Sequence, residues 1–173
     1  MKFSTIAQAC AYCLLANTAF SHASLEVKEA ENNNNYKAVM RISHGCDGSA
    51  TKSVTIHIPE GVINVKPMPK AGWALETTRG DYAKTYDYHG PRSEGVKSIT
   101  WTGTLEDQHF EEFIFRGRIT DDFKEGSTVY FPTEQKCQTG ENMWIEIPEE
   151  GADSHSVERP APALKIKQGH AHH

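Results

Sequence analysis

Ser53-Val54-Thr55-Ile56-His57-Ile58 alternates polar with apolar side chains and then runs into Pro59-Glu60-Gly61. Alternation at period two marks a strand with one buried face, because successive side chains on an extended backbone point to opposite sides. The pattern recurs along the chain. Residues 38–42, 62–65, 73–77, 97–102, 110–118, 128–132 and 143–147 read the same way, separated every ten or so residues by Gly, Pro, Asn or Asp. No stretch keeps a long apolar period of 3.6, so helices should be minor. About eight short strands of this kind predict an all-β chain, a single β-sandwich of the immunoglobulin or cupredoxin type. Asn32, Asn33, Asn34 and Asn35 read as a hairpin loop. After Pro148 the composition turns polar and proline-bearing. Residues 149–173 are therefore expected to form an extended tail that hugs the domain through Leu164 and Ile166 before ending in disorder.

The head of the chain has a different character. Residues 1–20 hold one charged side chain, Lys2, ahead of a short apolar core. This suits a cleaved secretory signal better than a membrane-spanning helix. Ala19 and Ser21 place small residues three and one positions before a cut ahead of His22. A cut after Ala23, with Ser21 and Ala23 as the small pair, satisfies the same rule. A cut after Ala19 would make His22 the third residue of a Phe-Ser-His claw for copper or nickel, but it puts Asn17 at the third position back. Removing 21 of the 173 residues leaves 152, one domain's worth. The processed chain is expected to be periplasmic and to keep no membrane span. It loses only Lys2 among its charges, leaving 17 basic against 23 acidic residues. That balance argues against nucleic acid or an anionic membrane surface as a partner. Cys10 and Cys13 leave with the signal. Cys46 and Cys137 remain, an even pair in an oxidising compartment. Either they form a disulfide, worth roughly 3–5 kcal/mol for so long a loop, or they are two thiolate metal ligands.

A histidine at the very start of a chain is a chelate by construction. Its α-amine and ring Nδ1 reach one metal together, and nitrogen donors in a tetragonal arrangement suit copper(II). An α-amine titrates near pH 8, so it is freed for binding at little cost near neutrality. A histidine near a cleavage site also arises by chance, and then carries no chemistry. His57 and His89 read as surface residues, His155 lies in the tail beside Asp153, and His170, His172 and His173 form a weak auxiliary metal site by composition. No Gly-x-Ser-x-Gly elbow, phosphate-binding glycine loop or His-Glu-x-x-His motif occurs. Glu111 and Glu112 are neighbours on an expected strand, so they face opposite ways and cannot share a substrate. No enzymatic machinery is expected on these grounds.

Beyond single residues, the chain resembles the YcnI-like family of secreted copper-binding domains. The likeness lies in H-A-S-L-E at the expected start, R-I-S-H-G-C-D-G-S-A-T-K-S-V-T-I-H-I-P-E-G-V, V-K-P-M-P-K-A-G-W-A-L-E-T, W-T-G-T-L, F-E-E-F-I-F-R-G and C-Q-T-G-E-N-M-W-I-E-I-P-E-E-G. H-G-C-D-G with the later Cys137 is similar to the proteobacterial branch. The resemblance implies a YcnI-like domain over residues 22–148 and copper(II) held by the amine and imidazole of His22. It further implies a carboxylate that completes the site and a tryptophan close by, here Trp144. The departure is at the carboxylate. Where Gram-positive relatives carry glutamate, this chain has Ser43-His44-Gly45-Cys46-Asp47. Either His44 serves as a nitrogen ligand, or Asp47 supplies oxygen. Trp73 and Trp101 are expected in the core; Trp144 is either core too or a cover over the metal that excludes water and tunes its redox cycling.

Three functions follow as expectations. One is a periplasmic copper(II)-binding protein that buffers or hands on the metal to another copper-handling protein. Another is a copper oxidase of polysaccharides, for which His44 would have to act as second histidine and a flat aromatic face would be needed. The third is a scaffold module without metal.

Overall fold

The computed structural model describes residues 22–149, 151–153 and 156–167. Twelve strands and no α-helix occur among these residues. Strands β1 (Ser24–Leu25), β3 (Asn34–Ile42), β8 (Glu111–Ile119) and β5 (Val62–Pro67) lie in that order in a first antiparallel sheet. The second sheet has the order β11 (Glu141–Trp144), β10 (Thr133–Cys137), β4 (Thr51–His57), β7 (Pro91–Leu105) and β6 (Ala74–Asp87). A third, of β2 (Glu29–Glu31), β12 (Ala163–Lys167) and β9 (Thr128–Tyr130), pairs β12 parallel with β2 and antiparallel with β9.

Side-chain alternation explains the layering. In β4 Val54 and Ile56 are wholly buried, and in β3 Ala38, Met40 and Ile42 face them from the other sheet. Between the sheets the rings of Trp101 and Phe113 meet with centroids 5.5 Å apart, and the Trp101 indole donates to the Met68 carbonyl at 3.2 Å. Trp73 packs edge-on against Phe113 and lies over Gly103, where a Cβ would come within 2.4 Å of its ring. Val129, Leu164 and Ile166 of the third sheet belong to the same hydrophobic cluster.

Several elements differ from what the alternation suggests. The segment read as a polar tail supplies a core strand, because Leu164-Lys165-Ile166-Lys167 buries every second residue. The asparagine run divides: Asn32 and Asn33 make the turn, with Asn33 at φ 50°, and β3 starts at Asn34. Strands β1 and β2 are too short to show a period, and β10 hides its own by turning Thr133 and Gln135 inward. Strands β6 and β7 run far beyond the expected 73–77 and 97–102, since the outer half of their hairpin is solvated and lacks apolar alternation.

That outer half is held by Glu60. Its carboxylate accepts from the Tyr86 hydroxyl at 2.9 Å and the Ala83 amide at 3.1 Å, and pairs with Lys97 at 2.9 Å. Burial raises the affinity of Glu60 for a proton, but the hydrogen bonds from Lys97, Tyr86 and Ala83 outweigh it, so the carboxyl titrates below its ordinary range. Its stabilising effect is complete above the ordinary carboxylate range and is lost as the pH falls below it. Glu60→Gln should therefore flatten the acid side of a urea-midpoint-against-pH curve. In the core, Leu164→Ala should cost about 2–5 kcal/mol in chemical denaturation, as for a buried leucine with no room to collapse.

Candidate metal centre

Strands β1 and β11 are each an edge strand of their own sheet. His22 stands two residues ahead of β1, whose pairing of Ser24 with Arg41 and Leu25 with Met40 fixes its position. Leu25 is 2% exposed and anchors that short strand in the core. Trp144 closes β11, opposite Thr133 of β10. The His22 imidazole and the Trp144 indole meet across the gap, ring centroids 5.5 Å apart and planes tilted by 53°.

His44 lines a small cavity together with the same indole and comes to it from another loop. Between β3 and β4 the chain folds into a tight turn in which Cys46 and Ser49 exchange both backbone hydrogen bonds at 2.9 Å. Asp47 and Gly48 occupy its centre with φ of 48° and 83°, the left-handed pair that an Asp-Gly hairpin turn requires. Gly45 is needed for another reason: a Cβ there would lie 1.9 Å from the Ser49 carbonyl oxygen. Gly45 is thus required by a close backbone approach and not by a left-handed conformation. The Gly45 amide donates to Asp107 at 3.0 Å, and His44 Nδ1 lies 2.6 Å from the Gly45 carbonyl.

Cys46 and Cys137 form a disulfide with Cα atoms 5.9 Å apart, which disposes of the thiolate alternative. Because Cys137 ends β10, the bond ties the His44 loop to the hairpin that carries Trp144. Inside this joint lies Gln135, 1% exposed. Its Nε2 donates to the His44 carbonyl at 2.6 Å and to Thr51 Oγ1 at 2.8 Å. Its Oε1 accepts from the Trp144 indole at 3.1 Å and from Asn142 at 3.3 Å. One buried amide therefore sets both the His44 backbone and the plane of the indole.

The segment after Pro148 completes the surroundings. Backbone hydrogen bonds from Glu146 to the Arg159 carbonyl, 3.1 Å, and from Ala161 to the Glu146 carbonyl, 2.8 Å, lay residues 159–161 alongside the continuation of β11. Glu158 and Arg159 then join His44, Asp47, Asn142 and Trp144 around a cavity of about 70 Å³. A second hollow of about 240 Å³ opens beside His22, bordered by Ser24, Lys28, Pro160 and Ala163. His22 and His44 thus have Trp144 as common neighbour, and Asp47 shares the cavity of His44.

Other expected residues lie elsewhere. His57 pairs with Glu134 at 2.7 Å on the outer face of the second sheet, and His89 sits at the tip of the β6–β7 hairpin against Tyr88. Glu111 and Glu112 part as expected, one to Lys70 and one to Arg41. His155, His170, His172 and His173 lie outside the described residues. Among the described residues no three His, Cys, Asp or Glu side chains gather closely enough to hold a metal ion. Gln135, Asn142 and Glu158 escape a reading of the sequence.

Fold and edge geometry define the class: an immunoglobulin-like β-sandwich. A crystal structure described as an uncharacterized protein from Nocardia farcinica with an immunoglobulin-like fold superposes with a TM-score of 0.66, at 22% identity, over 85% of this chain and 99% of that one. The chain belongs to the DUF1775 family, described as a domain of unknown function, whose model matches residues 22–166. No curated protein matches it.

Gln135→Leu should cost about 1–3 kcal/mol in chemical denaturation, because it strands the buried indole N–H and the His44 carbonyl together. The variant's tryptophan fluorescence should shift as the Trp144 environment loosens.

Proposed function

We propose that the protein is a copper(II)-binding protein of the periplasm that buffers or hands on the metal, with copper as its cargo. In this reading a signal peptidase cuts before His22 and leaves its α-amine and imidazole as two donors on one residue. His44 is the further nitrogen donor, with Asp47 as the oxygen alternative. Trp144 covers the site and limits its access to water.

The observation that carries this reading is the contact of the His22 ring with the Trp144 indole, which also lines the cavity of His44 and Asp47. Three further points support it. The family match begins at His22. The Cys46–Cys137 disulfide suits an oxidising compartment. The H-G-C-D-G wording with Cys137 favours the proteobacterial branch of the YcnI-like family. An oxidase of polysaccharides would need aromatic rings displayed to solvent, and among the described residues Phe110 is the one aromatic side chain that is exposed. We therefore favour binding over oxidation.

Calorimetry with copper(II) on protein that starts at His22 tests the proposal. His22→Ala, and separately one alanine added ahead of His22, should each weaken binding by about a hundredfold or more. Unchanged affinity in either would refute the chelate. His44→Ala and Asp47→Ala, compared side by side, identify the third donor by which of them weakens binding more. Quenching of tryptophan emission by copper(II) should largely vanish in Trp144→Phe.

A further inference from the structure

The outer face of the first sheet carries a row of charge that the composition conceals. In the strand register Lys37 of β3 lies opposite Arg116 of β8, and Arg116 lies opposite Lys66 of β5. Three cations thus stand side by side across three adjacent strands, a span of about 10 Å. All three are exposed, and among the described residues none of them makes an ion pair. Arg41, four residues from Lys37 on the same face of β3, is bound by both Glu26 and Glu112. Like charges placed directly opposite one another destabilise a sheet. A chain with more acidic than basic residues could have set a carboxylate among them, as it does at Arg41.

Beside the row lies a groove of about 320 Å³. Pro67, Met68, Pro69 and Ile114 give it an apolar lining, and Met68 is 50% exposed. The Met68 amide donates to the Ile114 carbonyl at 2.8 Å, so this wall is fixed to β8 and the groove is built into the sheet. Apolar floor and cationic edge recur together in sites that take a chain with apolar and acidic side chains.

We propose that this face docks an extended acidic segment of another protein, with its carboxylates on Lys37, Arg116 and Lys66 and its apolar side chains in the groove. The concavity favours a peptide over a lipid surface, which would meet the cations but leave the groove unfilled. The net negative charge of the chain repels acidic partners in general. Specificity then comes from local complementarity, and binding weakens as salt screens the row.

The test uses the full processed chain and a fluorescein-labelled peptide of alternating Glu and Leu, followed by anisotropy. A Lys-Leu peptide and vesicles of phosphatidylglycerol with phosphatidylcholine are the comparisons. The acidic peptide should bind and the basic one should not. Combined Lys37→Gln, Lys66→Gln and Arg116→Gln should weaken binding about tenfold or more and remove most of its salt dependence. Met68→Ser should weaken it while leaving the salt dependence in place. The three cations are exposed, so the triple variant should fold, with an unchanged circular dichroism spectrum and unchanged copper uptake. Equal binding by wild type and triple variant, no binding of the acidic peptide, or binding of anionic vesicles without the peptide would each overturn the proposal.

Discussion

The buried amide of Gln135 holds together what the rest of the candidate centre depends on. A primary amide has two donors and an acceptor with two lone pairs, and here they reach two elements far apart in sequence, the His44 loop and the Trp144 hairpin. Thr51 and Asn142 take up its remaining capacity. Because an unpaired polar group at such depth is costly, loop and indole are coupled: neither can shift without breaking a hydrogen bond to Gln135. The disulfide from Cys46 to Cys137 acts at the same joint through covalent connection.

From that joint outward, the fold does the positioning. His22, just ahead of edge strand β1, meets Trp144 at the end of edge strand β11, so a residue from the start of the domain lies against one from near its end. Residues 159–161 then run beside β11 and carry Glu158 and Arg159 to the cavity. The centre is assembled from the first and last parts of the domain over a core that both sheets share. The charged row of Lys37, Arg116 and Lys66 belongs to the other surface of the first sheet, apart from this edge.

Much of the sandwich was legible because half-buried strands announce themselves by alternation, as Val54, Ile56 and Ile58 do. Where inward positions are polar the signal fails, and β10 gives none because Thr133 and Gln135 face the core. Strand β12 is half legible: Leu164 and Ile166 stand out in a polar context, while the partners that make them a strand are β2 and β9, too distant in sequence to infer. His22, Cys46 and Cys137 could be named from their chemical character, and His44 and Trp144 from the family resemblance. Gln135, which hydrogen-bonds both His44 and Trp144, could not, because an amide becomes informative only when its partners are known. Net charge is silent in a similar way: a sum of opposite charges says nothing about three like charges in one register.

The central claim concerns the first residue and the metal it grips. Native mass spectrometry of the exported protein, before and after copper(II), addresses both in one measurement. The account predicts a chain of 152 residues that starts at His22 and gains a single copper ion. A chain that starts elsewhere, or one that starts at His22 and takes up no copper, would contradict it.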